Sequence, residues 1–554
     1  MRISSLLLFG ILFYSCASQL PPSGGPKDEE PPELIFSNPE NKTLDWNETV
    51  VQLTFNENIQ VKNLKKELLI TPTYTGEFDF KQQRESVEIT FEEPFLDSTT
   101  YTLNFRNSIV DLNESNPAVN LRIAFSTWGY LDSLEISGYV KNMLVDVPVE
   151  EVTVGLYFAS DTLTPLNGSP TYLSKTNKLG HYSFHNLKSA EYYVYAFNDA
   201  NNNLLIDSKN ESYGFLPDPI SVDSILSKID IDVINLDLTE LSIKSARQTG
   251  QYFEIKFSKF VTDFTIIPED TNTNIQLHYK LIDTNRTLKI YNTLGEIDSM
   301  NVILTTSDSL LITKIDTLYI GFTESSRKKD EFTIRGQSEF NKGLMTSTLT
   351  FSKPLLELNI DSIFIEWDTL QISYLDTSNI IIDDNKFQII LQKDFSEDSI
   401  YNREPKITPS IIFQNNAFVS IELDSSVSFS SRIVEKRLDE LGSIRGTVDL
   451  PFEHYILQLI DPKNNVVHTL KDQNSYHFNE LKADKYRIRV IIDSNGNGKW
   501  DGGSIVERIA PETIFFFEAQ NKDQVITLRA NWELVDMNIQ LVDNVNYPLK
   551  TESN

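Results

Sequence analysis

A single cysteine, Cys16, occurs among 554 residues, so no disulfide forms within one chain and stability must come from packed cores or bound cations. Histidines are equally scarce, with six in all at His181, His185, His278, His454, His468 and His477. Only His181 and His185 have any regular spacing, and four residues apart on an extended strand they lie about 13 Å apart, too far to share a metal. Positive charge is in deficit, with 49 Lys and Arg against 79 Asp and Glu and a net charge of −30. That excludes nucleic acid as a partner and argues against a basic membrane-binding face. Neither a serine nucleophile elbow nor a phosphate loop nor a dinucleotide fingerprint is present. Paired acids such as Glu92 and Glu93 follow from composition alone, so no catalytic residue is assigned and the chain is expected not to be an enzyme. Helical periodicity is nearly missing after the first 15 residues, and no apolar run is long enough to span a bilayer.

Arg2, an apolar run over residues 3–14, and small Ser15 directly before Cys16 form the pattern of a lipoprotein signal peptide over residues 1–15. Lipidation at Cys16 then anchors the mature chain to the outer membrane by its acyl groups, with the cell-surface and periplasmic faces both open. Residues 16–32, rich in Pro, Gly and charge, form a lipidated tether with little to bury. Folded structure begins near Glu33.

From there the chain alternates β-branched or aromatic residues with polar ones in runs of five to eight, separated by turn residues. Val51, Leu53 and Phe55 face one way while Gln52, Thr54 and Asn56 face the other; Phe253, Ile255 and Phe257, and then Leu349 and Phe351, repeat the pattern. These strands end alike, in Phe55-Asn56-Glu57-Asn58-Ile59, Phe257-Ser258-Lys259-Phe260-Val261 and Phe351-Ser352-Lys353-Pro354-Leu355, which marks one module used three times. Val87, Ile89, Phe91, Phe95 and Tyr101 recur at identical spacing as Phe387, Ile389, Leu391, Phe395 and Tyr401, and Leu288, Ile290 and Leu294 form a degenerate version. With the FNENI, LLITP and YTLNFRNSIVDLNES segments, the first copy resembles the SbsA-like bacterial Ig-like domains of surface-layer proteins, over Pro32 to about Trp128.

A second module occurs twice. Tyr182, Phe184, Leu187, Tyr192, Asp199, Asn201 and Asn203 match Tyr476, Phe478, Leu481, Tyr486, Asp493, Asn495 and Asn497 at every spacing, and each copy is preceded by an Ile-x-Gly-x-Val strand: Ile136, Gly138 and Val140, then Ile444, Gly446 and Val448. This layout resembles the carboxypeptidase regulatory-like domain, a transthyretin-like β-sandwich without a catalytic zinc.

Both copies end in loops with oxygen side chains at alternate positions. In the first, Asp199, Asn201, Asn203 and Asp207 stand at positions 1, 3, 5 and 9, with the Leu205 carbonyl at position 7 and Glu211 beyond; in the second, Asp493, Asn495, Asn497 and Asp501 do so, with the Lys499 carbonyl and with Gly498 at the tight turn. Hard oxygens so spaced suit structural Ca2+, whereas zinc prefers His or Cys. The same residues also suit any exposed hairpin turn. The first loop lacks the glycine, and the second lacks a carboxylate at position 12.

Asp followed by Ser or Thr and then an aliphatic residue, Met or Thr recurs ten times, with Ser98, Ser133, Thr162, Ser224, Ser299, Ser309, Thr317, Ser362, Thr369 and Ser399 as the hydroxyl residues. The pattern looks like the O-glycosylation sequon of exported Bacteroidetes proteins, and it is equally how a turn hands over to a strand.

The lipobox, the PPSGGPKDEEPP tether, the Ig-like first module and the terminal DSNGNGKWDGG, Ala510-Pro511-Glu512 and Arg529-Ala530-Asn531-Trp532 segments together resemble a family of Ig-like-domain lipoproteins of Bacteroidetes. The fold expected is all-β, a tandem array of sandwiches: an Ig-like domain over 33–130, a carboxypeptidase regulatory-like sandwich over 131–232, degenerate Ig-like sandwiches over 233–325 and 326–440, a second regulatory-like sandwich over 441–525, and a C-terminal strand and tail over 526–554. The function expected is that of a scaffold or accessory subunit of an outer-membrane protein complex, in barrel assembly or secretion. The alternative is a surface glycan-binding or adhesion lipoprotein, for which a cluster of exposed Trp and Tyr on one module is the discriminating feature.

Overall fold

The computed structural model describes residues 29–540 apart from 208, 271–274, 295–296, 311, 369–370, 405–406 and 520–521. Cys16, the signal segment, most of the tether and Thr369 lie outside the described residues. Among the described residues the longest α-helix is one turn, Leu64–Glu67, and strands account for nearly everything else that is regular. The chain is thus all-β, as its alternation dictates.

In the first module the strands Leu34–Asn38, Val50–Phe55, Ser86–Phe91 and Phe78–Gln82 form one sheet, faced by Leu69–Thr71, Thr100–Asn104 and Arg122–Ser126. Val51, Leu53, Phe55, Val87, Ile89 and Phe91 turn inward onto Tyr101 and Phe125, all at most 2% exposed. The period of two in the sequence is therefore the inside and outside of one sheet.

Residues 134–233 form two sheets, with Ile231–Val233 pairing parallel to Leu134–Asn142. Gly138 of the Ile-x-Gly-x-Val motif lies against that returning segment, where a Cβ would stand 2.0 Å from the Ile229 carbonyl oxygen; at Gly446 it would stand 2.2 Å from that of Met537. Only glycine lets the backbones approach this closely. The second copy is completed in the same way, because Glu533–Leu534 and Ile539–Gln540 pair parallel to Leu441–Asp449, and Ile526–Leu528 pairs with Asp484–Ile492. The boundary expected at 525 therefore falls inside the last sandwich, which runs to Gln540. The closing strands are only two or three residues long, too short to show alternation.

Residues 243–321 make a sandwich of four- and three-stranded sheets, and residues 334–435 are dominated by one eight-stranded sheet. In both, the lysine of the repeated strand ending points inward. Lys259 and Asp308 form an ion pair at 2.6 Å, each 1% exposed, and the equally buried Lys353 is paired with Glu422 at 2.5 Å and with Asp424. Those two carboxylates keep the Lys353 pKa above its ordinary value despite burial. Removing one partner of such a pair costs about 3–5 kcal/mol.

The array folds back on itself. Consecutive modules meet at their ends: Thr73 Oγ1 donates to the Pro170 carbonyl at 2.6 Å, Leu310 of the third module packs on the aromatic cluster of the second, Tyr291 Oη donates to the Ser352 carbonyl at 3.1 Å, and Lys436 pairs with Glu480 at 2.5 Å. The two regulatory-like copies, some 300 residues apart in the chain, also pack on each other. Ile505 is buried among Tyr157, Tyr195 and Phe197, and Met143 among Ile456, Ile460 and Ile491. Arg487 and Arg489 donate to the carbonyls of Val145 and Leu144 at 2.6 and 3.2 Å. The modules beyond the first thus close into a ring.

Candidate functional site: the paired loops and the module junction

Both candidate loops follow a strand of the sheet through which the regulatory-like modules meet, Ala190–Phe197 or Asp484–Ile492, and are built alike. The Asp199 carboxylate accepts the N–H groups of Asn203 and Leu204 at 3.0 and 3.1 Å; the Asp493 carboxylate accepts those of Asn497 and Gly498 at 3.0 and 2.7 Å. Asn201 Oδ1 and Asn495 Oδ1 accept the next-but-one N–H, as do Asn203 Oδ1 from Leu205 at 2.9 Å and Asn497 Oδ1 from Lys499 at 2.7 Å. The asparagine Nδ2 groups donate to Asp207 in the first loop and to Asp501 in the second.

Glu211 closes the first loop, accepting from Ala200 N at 3.2 Å and Asp207 N at 3.0 Å. In the second loop Glu512 does the same, accepting from Ser494 N at 2.6 Å and Asp501 N at 3.0 Å. The second loop therefore does not lack its closing carboxylate, contrary to the reading by position. Glu512 arrives after an insertion that displaces it in sequence but not in space, and the duplication itself was the signal that could have found it. Burial pushes the Glu512 carboxyl up to about 7, with the nearby Asp501 and Asp493 charges adding to the effect.

Each loop brings three carboxyl groups and two amide oxygens to one turn, a set suited to Ca2+ and not to zinc. Among the described residues, however, no three His, Cys, Asp or Glu side chains form a ready metal-ligating cluster. The carboxylates instead accept backbone N–H groups and asparagine amides. Calcium binding would require the Asn201, Asn203, Asn495 and Asn497 amides to turn their Oδ1 atoms inward.

The hydroxyl residues of the Asp-Ser/Thr pattern divide by accessibility. Ser98, Ser133, Thr162, Ser224, Thr317 and Ser399 are exposed, whereas Ser299, Ser309 and Ser362 are half-buried. The aspartates repeatedly cap turns: Asp97 and Asp161 accept the next N–H at 2.8 and 2.7 Å, and Asp308 and Asp398 accept the next-but-one at 2.9 and 3.0 Å. His185 pairs with Glu135 at 3.0 Å, in keeping with a half-exposed strand residue. Trp128 and Trp532 are exposed on different modules, Trp367 is buried and Trp500 lies in the junction. Among the described residues, the one pair of exposed Trp and Tyr rings in contact is Trp128 with Tyr130, edge to face at 5.7 Å.

Residues 28–127 match the bacterial Ig-like domain family. The match covers the first module. No curated protein matches the chain. Among solved structures, the chain is similar to the major pilin subunit BcpA of Bacillus cereus, at 10% identity with 74% of this chain and 99% of the pilin covered and a TM-score of 0.13. It is also similar to domains 1–6 of the surface-layer protein SbsC, at 9% identity with 89% and 67% covered and a TM-score of 0.14, and to immunoglobulin domains 1–4 of Sidekick-1, at 8% identity with 70% and 94% covered and a TM-score of 0.17.

Proposed function

We propose that the protein is a non-enzymatic, acyl-anchored β-sandwich scaffold, an accessory subunit of an outer-membrane protein complex such as the barrel-assembly or secretion machinery. The observation that carries this reading is the junction between the two regulatory-like modules: buried Ile505 and Met143, together with the arginine-to-carbonyl bonds, turn a string of domains into one rigid body. A rigid body of this size presents fixed surface to a partner, while a hinged string suits reach. Lipidation at Cys16 supplies the attachment. Calcium in the two loops, with Glu211 and Glu512 as closing ligands, would lock the segments that bracket the junction, a structural role. The Trp128 and Tyr130 pair favours the second reading, glycan binding or adhesion at the surface.

Affinity purification of the tagged protein from native membranes in mild detergent, followed by mass spectrometry, tests the scaffold. Stoichiometric recovery with a β-barrel complex is expected. Recovery as a lone monomer overturns it and directs attention to glycan binding at Trp128.

A further inference from the structure

A cavity of about 730 Å³ opens where the second, third and fifth modules meet, within the size range of small-molecule sites. One wall is apolar, with Leu144, Leu236, Ile456, Ile491 and the Trp500 ring; the charged side chains around it are Lys209, Arg286, Arg489, Lys499 and a single acid, Asp237. In a chain carrying −30 overall, four cations against one acid at one cavity is a local inversion of sign.

That acid keeps its charge but turns one oxygen to neutral donors. Asp237 Oδ1 accepts from the N–H and hydroxyl of Thr239 at 3.0 and 2.5 Å. Arg489 bonds only neutral acceptors, Gln458 Oε1 at 2.7 Å and the Leu144 carbonyl at 3.2 Å, and its pKa is held below the ordinary value by burial and by neighbouring Arg487. Lys499 is paired with Asp263 at 2.7 Å. Lys209 and Arg286, at the rim, have no carboxylate partner among the described residues. Cations in a low-dielectric cleft attract and hold an anion, and the apolar wall accepts a hydrocarbon body.

We infer that this inter-module cavity binds a small anionic amphiphile, its phosphate or carboxylate head placed between Arg286 and Lys209 and its apolar body laid against the half-buried Trp500 and Leu144 side chains. The inference stands independently of the scaffold reading, since it rests on the cavity alone.

The test is calorimetric titration of the full chain, held in zwitterionic nanodiscs, with octyl phosphate, octanoate, inorganic phosphate and neutral octyl glucoside, after subtraction of empty nanodiscs. One-to-one binding of octyl phosphate or octanoate is expected, with the preference between them identifying the head group. Inorganic phosphate and octyl glucoside should each bind about tenfold or more weakly, and Lys209→Gln with Arg286→Gln should weaken the charged amphiphiles by a similar factor. Both side chains are exposed and unpaired, so the double variant keeps the fold, as an unchanged melting curve will verify. Absence of binding by both charged amphiphiles, equal binding of octyl glucoside, equal binding of inorganic phosphate, or no effect of the double variant overturns the inference.

Discussion

The two regulatory-like modules are one design built twice, and they differ most at one place. In each, a tyrosine of the inner strand reaches the returning segment, Tyr182 Oη donating to the Ile229 carbonyl at 2.6 Å and Tyr476 Oη to that of Met537. A second tyrosine bridges the following turn, Tyr192 to the Lys188 carbonyl at 2.7 Å and Tyr486 to that of Lys482 at 2.9 Å. The acidic loops repeat as well. Between the final aspartate and the closing glutamate, however, the first copy has only residues 208–210, while the second has residues 502–511. That longer segment is a small hairpin tied by Ser504 and Ile509, whose N–H groups bond each other's carbonyls at 2.8 and 2.9 Å. It delivers Ile505 into the aromatic face of the first copy and Arg508 over the Tyr193 ring at 3.4 Å. Duplication kept the sandwich and the loop; the insertion made one copy a docking partner for the other.

The comparison breaks most severely at Ile505, which is 4% exposed. Ile505→Asp places an unpaired charge among aromatic rings and should cost about 3 kcal/mol or more. The expected outcome is an opened ring: a larger radius of gyration in small-angle scattering and a separate early melting step. Ile505→Val should cost only about 1 kcal/mol and leave the scattering unchanged. An unchanged scattering profile for the aspartate variant would mean that the copies are held together without the insertion.

Much of this architecture was legible. Alternation at Val51, Leu53 and Phe55 reads directly as a half-buried strand because a sheet has only two faces, and the tyrosine and aspartate spacings of the two copies mark duplication because unrelated segments do not share so many intervals. Three things were not legible, each for a physical reason. The repeated strand ending shows Lys259 and Lys353 as shared positions but not their burial, since sequence does not show that Asp308, Glu422 and Asp424 come from elsewhere in the fold to meet them. Glu512 was hidden because loop insertions preserve space and not numbering. The closure of the ring was hidden because Ile505, Met143 and Ile456 look like ordinary core residues, and nothing local distinguishes a core within a module from a core between two.

A smaller effect is expected at Glu512. Its folded pKa, pushed up to about 7 by burial, lies above that of an unfolded glutamate, so the protonated form favours the fold. That contribution is complete below about pH 4.5 and is lost as pH rises through 7. In the presence of a chelator, the melting temperature should therefore fall between pH 5 and pH 8, and Glu512→Gln should flatten the dependence. Calcium at pH 8 should restore the wild type and not the variant. A wild-type curve indifferent to calcium at pH 8 would sink calcium in this loop.

Next in size is the hydroxyl contact of the inner tyrosines. Tyr476→Phe removes a buried bond to the Met537 carbonyl and should cost about 1–2 kcal/mol, with Tyr182→Phe costing the same if the copies are energetically equivalent. Chemical denaturation of each variant checks this. Unequal losses would show that the short closing strands of the second copy depend more heavily on this bond.

The finest test concerns the loop backbone. Both loops require two left-handed residues: Gly496 and Gly498 in the second copy, at φ of 70° and 74°, and Asn202 and Leu204 in the first, both at 59°. Asparagine tolerates this region, but leucine is strained there by about 1 kcal/mol. Leu204→Gly should relieve that strain while adding backbone freedom to the unfolded chain, for a net gain of about 0.5 kcal/mol. Gly498→Leu should lose about 1–2 kcal/mol, because it introduces the strain without any packing evolved around it. Leu204 is half-buried and lines a cavity together with Ile70 and Tyr74 of the first module. A destabilising Leu204→Gly would therefore mean that contact with the Ig-like module outweighs the strain, and that the first loop gave up its glycine to gain a neighbour.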